Sequence, residues 1–497
     1  MQNARKEWSI KEFPAFEAGT LMDKAFTGSI GFHSIVPREN DYQMLIATDV
    51  EIADFVAYAE NLSAQGFSVK PHADDADTIL SYWITAGENR MYMYYTASTR
   101  EARFILDQND SVSLDEFEYT YEKKEGDNTT FYMYGLKMHP HGINIGESYP
   151  PLTEKMLYDA HPELICKAGM KQETYKNCGA MYVIKLADNS VMIVDGGECR
   201  MICVEQAIYL NRFLHRITDT PMNEKVRISA WFLTHPDGDH FTGLIRFLNG
   251  YNHLYTVERV MYNVDIANEG PNDLTRLLGC FREWNPSVVF HRLHTGEKFH
   301  LADMHIEVME TLEDLVRSDT MLPQYYPDGK PHHDDHNNTS VVLRLTIDGR
   351  TAMITGDTAG VSSRAILRNY AANDFARIKV DLLQIPHHAW NNIADFFSAV
   401  NPRISMINQS HGGTQRGIWG RAINTYRSVA AATVGGIRNI YYAGDETVGF
   451  EVKNGDFEIV FRDIAVGYAW DGSDGGAESR WWTWDPFPFF EDNQPTN

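Results

Sequence analysis

The chain between residues 170 and 455 alternates apolar runs of strand length with amphipathic segments of helical period. Such alternation is typical of an α/β domain, in which helices connect the strands of a sheet. Turn signals separate the runs, and Asp348-Gly349 between two of them is typical of a tight hairpin. The predicted elements are a strand pair at 180–197, a helix at 204–217, a strand at 226–234, a strand pair at 340–357 and a strand at 379–388.

Residues 1–130 show a different pattern, which predicts a separate small α+β domain. Apolar positions at helical spacing run through residues 50–67 and end at Gly66. Residues 78–98 have the β-rich flanks and central turn of a hairpin, and residues 117–138 predict a second hairpin.

A chain of 497 residues exceeds what one ordinary core supports, so more than one domain is expected. We place the boundaries at 1–130 for the small domain, 131–465 for the α/β body with its connector, and 466–497 for an aromatic tail. Apolar residues make up 43% of the chain, and no apolar run has membrane-spanning length. The first residues lack the apolar core of a signal peptide, and the five scattered cysteines form no CxxC pair. We therefore expect a cytoplasmic protein with reduced thiols and no membrane attachment.

The formal net charge of −24 argues against non-specific binding of duplex DNA, because such a surface repels polyanions. It does not exclude an anionic small molecule, since bound dications can dominate the field inside a pocket. We therefore expect a small-molecule or nucleotide-like substrate as the partner. The sequence does not specify the oligomeric state.

The stretch WFLTHPDGDHFTGL at 231–244 places side chains of metal-ligating type at the end of an apolar strand. Strand ends that face a crevice are where α/β folds place function. A polar loop with Asp239 as a helix cap would explain one such residue, but four at this spacing favour a site for two divalent ions. The four are His235, Asp237, Asp239 and His240.

Two later strands also end in residues that bind metals. Asp357 ends the strand in MITGDTAG, and its two carboxylate oxygens could bridge two ions. His387 and His388 end the strand at 379–388, where either histidine alone could instead be a core residue. Three strands that each end in ligand-type residues indicate one dinuclear centre.

These motifs resemble the metallo-β-lactamase fold superfamily over residues 170–455. The superfamily signature is His-x-His-x-Asp-His, preceded by a strand ending in Asp-Gly. Here Asp195-Gly196 supplies that pair, and Asp237 stands in place of the second histidine. The segments NNTSVVLRL, TGD and PHHA, the last with Ala389 in place of a glycine, are most similar to the hydrolase domain of ComEC-type DNA-uptake proteins.

The resemblance implies an αββα sandwich with a centre for two divalent ions, Zn²⁺ or Mn²⁺, at its edge. Asp357 is implied as the bridging carboxylate, and Asp239 could also orient the attacking hydroxide, so these two are the implied catalytic residues. His388 is favoured over His387, because it aligns with the histidine of related SHG segments. The implied ligands are Asp239, His240 and one of His387 and His388 for one ion, and His235 and Asp237 for the other.

The aspartate at 237 changes the expected metal. A carboxylate in place of an imidazole makes the site richer in oxygen, which suits Mn²⁺ better than an imidazole-rich zinc site does. We therefore expect a manganese-competent or mixed centre, with Zn²⁺ still open. The histidine that the superfamily usually adds to this position falls near Asn337 and Asn338, with His336 adjacent.

Four residues are candidates for contacting the substrate: His336, Asn338, His411 and Arg416. His336 belongs to a loop at 325–338 that could be a lid, a third metal site or a solvated loop. His411 lies in NQSHGGTQRG and could contact the leaving group, or the segment could be a glycine-rich surface loop. Arg416 is a candidate for binding an anionic group.

These observations favour a metal-dependent hydrolase of phosphodiester or phosphate ester bonds. A hydrolase of acyl esters, thioesters or lactones is the first alternative, because the same activated hydroxide attacks acyl carbons. The second alternative is a metal-binding sensor that keeps the fold without catalysis.

Overall fold

The computed structural model describes residues 8–21, 26–27, 42–74, 78–107, 112–135, 180–197, 204–263, 274–315, 337–389, 393–408, 439–443 and 446–464. These residues form mixed α/β structure with three β-sheets, which confirms the predicted α/β class. No helix within these ranges is long and apolar enough to cross a membrane.

The first sheet, here the N-terminal sheet, is antiparallel, with strand order β1-β3-β7-β6-β5-β4 and β2 paired with β3. The helix α1 packs its apolar stripe on one face of this sheet through Phe55, Ala59 and Leu62. The elements are β1 Thr20–Leu21, β2 Phe26–Thr27, β3 Tyr42–Thr48, α1 Ile52–Ala64, β4 Ser68–Asp74, β5 Ile79–Ala86, β6 Asn89–Thr96 and β7 Glu101–Asp107.

The first body sheet has the order β15-β14-β12-β11-β10-β9-β23-β24, with β13 paired with β12. Strands β11, β12, β14 and β15 are parallel, and helices connect them. Its elements are β9 Thr130–Met133, β10 Met181–Lys185, β11 Val191–Asp195, α3 Val204–Ile217, β12 Val226–Leu233, α4 Gly238–Tyr251, β13 Tyr255–Val257, β14 Arg259–Tyr262, α5 Leu274–Trp284, β15 Val289–Arg292, β23 Glu446–Lys453 and β24 Asp456–Ile464.

The second body sheet has the order β22-β21-β20-β19-β18-β17-β16-β8. Its strands β19 to β22 are parallel neighbours. Its elements, with the short helix α2 before it, are α2 Leu114–Phe117, β8 Tyr119–Thr120, β16 Lys298–Ala302, β17 Met304–Glu310, β18 Val342–Ile347, β19 Arg350–Ile354, α6 Gly360–Asn369, β20 Leu382–Gln384, α7 Ala394–Val400, β21 Ile404–Ile407 and β22 Asn439–Tyr442.

The two body sheets pack face to face around one apolar core, to which both contribute. Successive side chains of β10 alternate between the two faces of the sheet. Tyr182 and Ile184 point into that core, while Met181 and Val183 point to the helices on the outside. The outer face of the first body sheet carries helices α3, α4 and α5. The outer face of the second body sheet is covered by helices α6 and α7 and by the N-terminal sheet. The body therefore has helices, sheet, sheet and helices as successive layers.

The predicted hairpin at 117–138 is wrong. Residues 119–120 form β8 and pair with β16, whereas 130–133 form β9 and pair with β10 and β23 in the other body sheet. All four residues of β9 are buried, because this strand lies inside a sheet whose two faces are covered. A hairpin pattern from one sequence window cannot distinguish this case. The domain boundaries at 130 and 465 stay predictions, and the tail at 466–497 lies outside the described residues.

Candidate metal centre

Several strand ends meet at one edge of the body sheets, and the polar residues that follow them form a buried cluster. Asp195 is the last residue of β11, and His235 lies two residues after β12. Asp357 follows β19, and His388 follows β20. Because β11 and β12 are parallel neighbours, as are β19 and β20, their carboxyl ends lie side by side.

The first group of ligand-type atoms belongs to His235, His240 and Asp357, all three buried. The ring centres of His235 and His240 are 4.1 Å apart. Nε2 of His240 is 3.2 Å from Oδ2 of Asp357. Two imidazoles and one carboxylate form a donor set that suits Zn²⁺, Mn²⁺ or Fe²⁺.

The second group belongs to Asp239, His240 and His388. Nε2 of His388 is 3.3 Å from Oδ2 of Asp239 and 3.1 Å from Oδ2 of Asp357. His240 is common to both groups, and Asp357 contacts both His240 and His388. The two groups therefore form one continuous cluster with a carboxylate in the middle.

The cluster contains buried polar atoms that no residue in the described ranges satisfies. Nε2 of His235, Nε2 of His240 and Oδ1 of Asp357 have no hydrogen-bond partner within the described residues. Buried polar atoms are normally paired, so converging atoms with no partner among the described residues indicate a place for a further ligand. Imidazole and carboxylate lone pairs are donors to divalent ions, and the residues present therefore fit the two ions that the sequence predicts.

Asp195 orients both histidines of the first group. Its Oδ2 accepts a hydrogen bond from Nδ1 of His240 at 2.7 Å. The hydroxyl of Thr234 donates to Asp195 at 2.9 Å and lies 3.0 Å from Nδ1 of His235. With the proton on Nδ1 of each ring, the Nε2 lone pairs of His235 and His240 are available to ions. One buried carboxylate thus fixes the tautomer of two imidazoles, one of them through a threonine.

The Asp-Gly pair at the end of β11 also sets how closely helix α4 approaches. A side chain at Gly196 would place its Cβ 2.4 Å from Cβ of Leu244, so only glycine permits this contact. The contact brings the first turn of α4, with Asp239 and His240, against the strand end. Asp195 itself has a φ of 57°, a left-handed conformation that is uncommon outside glycine and found at functional sites.

Hydrogen bonds hold the loop that carries Asp357. The hydroxyl of Ser340 accepts a bond from the amide of Asp357 at 3.0 Å. Oε1 of Gln384 accepts bonds from the amides of Thr355 and Gly356 at 2.8 and 2.9 Å, and its Nε2 donates to the carbonyl of Gly356 at 2.6 Å. The backbone around Asp357 is therefore held in place by side chains of neighbouring segments.

Asp237 lies at the rim of the cluster. Its Oδ2 is 3.7 Å from Nε2 of His235, and its side chain is 34% exposed, outside both ligand groups. It is the residue that precedes α4, whose first turn contains Asp239. The alternative explanation of Asp239 as the helix cap is therefore wrong.

The structure separates the two histidines after β20. His388 belongs to the second ligand group, whereas His387 lies outside both groups, with its ring centre 6.4 Å from that of His388. His387, His388 and Ala389 all have positive φ, at 50°, 47° and 67°. Three left-handed residues in a row cost free energy of about 1 kcal/mol or more each, and such strain is common at functional sites.

The charges in the cluster depend on one another. Burial alone would raise the pKa of Asp357, but positive charge on His240 and His388 holds that pKa well below its usual range. Burial would also raise the pKa of Asp239, which the hydrogen bond from His388 and the charge on His240 bring to about 2. The pKa of His388 is lowered by burial but raised to about 10 overall by Asp357 and Asp239. Both carboxylates are therefore ionised at neutral pH and available to cations.

Of the four predicted substrate residues, only Asn338 lies in the described part of the chain. It is buried, and its Oδ1 accepts hydrogen bonds from the amide and hydroxyl of Ser362 in helix α6, at 3.3 and 3.4 Å. Its side-chain oxygen thus holds a helix start. His336, His411 and Arg416 lie outside the described residues, and their roles stay predictions.

Supporting residues of the cluster were missed by sequence reasoning. Thr234, Gln384 and Asn408 each place a polar side chain at the end of an otherwise apolar strand. Tyr182 lies within the apolar strand β10, yet its hydroxyl donates to Asn408. A polar residue at or near the end of an apolar run, close to a ligand, is the signal that could have found the first three.

Comparison with known proteins gives only distant likenesses. No family model matches the chain, and no curated protein matches it. Among solved structures it is similar to CmlA, a diiron β-hydroxylase from Streptomyces venezuelae, with 10% identity, a TM-score of 0.29, and 52% of this chain and 50% of that chain covered. A variant of the same β-hydroxylase gives 12% identity, a TM-score of 0.30, and 53% and 51% coverage.

A third similar structure is described as a zinc-dependent hydrolase of the metallo-β-lactamase superfamily, from Thermotoga maritima. It has 11% identity and a TM-score of 0.20, with 46% of this chain and 71% of that chain covered. The matched part of the chain spans about half the length of the β-hydroxylase. The descriptions of two of these structures name a metal, diiron in one and zinc in the other.

Proposed function

We propose that this protein is a hydrolase of phosphodiester or phosphate ester bonds in a nucleotide-like or nucleic-acid substrate, dependent on two divalent ions. The observation that carries the proposal is the pair of ligand groups joined by His240 and Asp357. A single structural ion would need only one closed set of ligands. The layered body and the order of the motifs support membership of the metallo-β-lactamase superfamily, with the ComEC-like variant as the nearest subgroup.

The ligands divide between the two positions. His235 and Asp357, with Asp237 at the rim, would hold one ion, and Asp239, His240 and His388 would hold the other with Asp357 between them. Two divalent ions held by these residues would supply an activated water of lowered pKa and a Lewis acid for the phosphoryl oxygen. No serine or cysteine nucleophile is then required.

The candidate metal centre is open to solvent on one side, and residues on that side can orient a water molecule. Asp239 and Asp237 have side chains that are 24% and 34% exposed, while His235, His240 and Asp357 are buried. Substrate and water therefore approach from the side of these two aspartates. Asp239 is placed to accept a hydrogen bond from the attacking water, because its carboxylate is ionised and partly exposed.

The net charge favours a nucleotide-sized substrate or a specific single strand over bulk duplex DNA. Asp237 makes the first position richer in oxygen than a histidine would, which favours Mn²⁺ there. We therefore propose a manganese-competent centre that also accepts Zn²⁺.

The test begins with elemental analysis of protein purified without chelator. Nitrophenyl phosphodiester, phosphate monoester and acyl ester substrates are then assayed with added Mn²⁺, Zn²⁺ or Fe²⁺. We expect bound transition metal and turnover of a phosphate ester. Asp239→Asn, which keeps the shape and removes the charge, should reduce turnover about a hundred-fold or more, whereas Asp54→Asn on the exposed face of α1 should not.

The outcomes separate the alternatives. If only acyl esters are hydrolysed, the protein is an acyl ester hydrolase and the proposed phosphate ester substrate is wrong. Intact metal without turnover of any class would favour a sensor. Absence of bound metal that added ions do not restore would overturn the proposed centre.

A further inference from the structure

Tyr182 reaches across the core between the two body sheets towards the candidate metal centre. It lies in β10, in the first body sheet, and is fully buried. Its hydroxyl donates a hydrogen bond to Oδ1 of Asn408, the residue that follows β21 in the second body sheet. The two residues are 226 positions apart in the chain, so this bond ties the two halves of the body together beside the site.

Asn408 in turn contacts a ligand histidine. Its main-chain carbonyl lies 3.4 Å from Nδ1 of His388 and accepts a hydrogen bond when that nitrogen carries the proton. The opposite nitrogen, Nε2, then faces Oδ2 of Asp239 at 3.3 Å and Oδ2 of Asp357 at 3.1 Å. This tautomer is the one in which Nε2 offers its lone pair to an ion.

The support of His388 differs from that of His240. Nδ1 of His240 meets a carboxylate, Asp195, at 2.7 Å, which fixes the ring strongly. Nδ1 of His388 meets a neutral carbonyl at a longer distance, and its backbone is in the left-handed region. That carbonyl therefore helps to hold the ring at Nδ1, and the bond from Tyr182 holds Asn408, the residue that carries the carbonyl.

We propose that Tyr182 and Asn408 are positioning residues that fix the tautomer and orientation of His388 for the second ion. The inference rests on the proposed function, because it presumes that the second ligand group holds a divalent ion. It requires no contact between Tyr182 and the ion or the substrate. Loss of the tyrosine hydroxyl should weaken one of the two positions and leave the other unchanged.

The test compares two tyrosine-to-phenylalanine variants by titration of the chelated protein with Mn²⁺ and with Zn²⁺. Tyr182→Phe removes the hydroxyl that Asn408 accepts. Tyr255→Phe is the matched control, because its buried hydroxyl donates to Oδ1 of Asn211 at 2.7 Å at the opposite end of β12. We expect Tyr182→Phe to weaken one ion about ten-fold, the low end for supporting residues, and Tyr255→Phe to bind both ions as the unaltered protein does.

A spectroscopic readout distinguishes positioning from general loosening. In the Co²⁺-loaded protein, ligand histidines give strongly shifted Nδ1–H proton signals, and the signal that His388→Ala removes identifies His388. In Tyr182→Phe this signal should shift or exchange faster with solvent, while the signals of the other histidines stay in place. If Tyr182→Phe does not fold, Asn408→Ala, which removes the same acceptor and keeps the carbonyl, takes its place.

Two results would count against the proposals in different ways. If the unaltered protein binds two ions and both variants bind them equally well with an unchanged His388 signal, the positioning role is wrong. If the unaltered protein binds no ion, the proposed function itself fails.

Discussion

Within the described ranges, two buried clusters of histidines and carboxylates differ in the partners that their side-chain atoms contact. One is the candidate metal centre. The other, here the interface cluster, lies where the N-terminal sheet covers the second body sheet, and all its members are 0% exposed: Asp107, His291, His294, Glu297, Glu313 and Asp314. Composition and burial alone do not distinguish the two.

In the interface cluster the histidines have partners at both nitrogens. Nδ1 of His294 is 2.6 Å from Oε1 of Glu313, and its Nε2 is 3.1 Å from Oδ2 of Asp107. Nδ1 of His291 is 3.0 Å from the carbonyl of Val112, and its Nε2 is 3.1 Å from Glu297. These rings have no lone pair left for an ion, so the cluster is a structural junction.

In the candidate metal centre, by contrast, Nε2 of His235 and Nε2 of His240 have no hydrogen-bond partner within the described residues. Both rings are held from behind, at Nδ1, and point their other nitrogen into a shared space. The difference indicates that converging atoms without a described partner, and not titratable residues as such, mark a candidate metal site. Four predictions test this comparison.

The largest effect is expected for Asp357→Ala. Because this carboxylate contacts ligands of both groups, the variant should lose both ions and lower turnover by more than the about 10- to 100-fold typical of supporting residues. Its unfolding in chelator should remain cooperative. Isothermal titration with Mn²⁺ and the phosphodiester assay measure the effect. Retention of two tightly bound ions would contradict the proposal that Asp357 is the carboxylate shared by both ions.

Glu313→Ala should have the opposite profile. It leaves His294, Asn263 and Thr311 without their buried acceptor, so the free energy of unfolding should fall by about 3–5 kcal/mol. Metal affinity of the folded protein should not change, because no atom of this cluster belongs to a ligand group. Urea unfolding and metal titration on the same samples measure both effects. A loss of metal affinity would contradict the prediction, because it would show that the two clusters are energetically coupled.

The interface cluster should also make stability depend on pH. Burial lowers the pKa of His294, but Glu313 and Asp107 raise it overall to about 10, above the value of about 6.5 in the unfolded chain. Because the pKa of His294 is higher in the folded protein, protonated His294 stabilises the fold. This contribution to the free energy of unfolding is complete below pH 6.5 and is lost as the pH rises through 10. Urea unfolding in chelator should therefore show a loss of a few kcal/mol between these values.

The matched variant for this pH series is His294→Gln, in which the slope between pH 6.5 and 10 should be smaller. Metal affinity should instead increase as the pH rises, in the variant as in the unaltered protein, because ligand imidazoles must lose a proton to bind ions. An equal slope in the variant would assign the pH dependence to other groups.

The smallest effect is expected for Thr234→Val, which removes the hydroxyl between Asp195 and His235 and keeps the shape. His235 then loses its fixed tautomer, and affinity for the ion at that position should fall about ten-fold. Thr234→Ser keeps the hydroxyl and should bind as the unaltered protein does. Equal affinities in the two variants would show that the threonine relay is not needed.

The sequence predicted the parts of the fold that have local signals. The helix at 204–217 agrees with α3, and the hairpin at Asp348-Gly349 agrees with β18 and β19, because helical period and turn chemistry act over a few residues. The candidate ligand residues follow strand ends, which is also a local signal, and the structure brings five of them into the two candidate groups, whereas Asp237 and His387 lie outside them. The hairpin at 117–138 failed because strand partners are chosen by the whole sheet.

The interface cluster was not predictable in this way. Its residues come from segments around 107, 294 and 313, with no spacing that relates them. The pair of Tyr182 and Asn408 is likewise joined only by the packing of one sheet on the other. Such contacts are long-range, and a single sequence contains no periodicity that records them.

The way the N-terminal sheet covers the body has a consequence for modularity. Trp83 donates to Glu297 at 2.8 Å and Tyr94 donates to Asp314 at 3.1 Å, so two carboxylates of the body each take one of their hydrogen bonds from this sheet. Truncation before residue 112 would leave these charges beside an exposed apolar face, and we expect such a fragment to aggregate. We therefore expect the smallest piece of this protein that folds to be larger than the piece that carries the candidate metal centre.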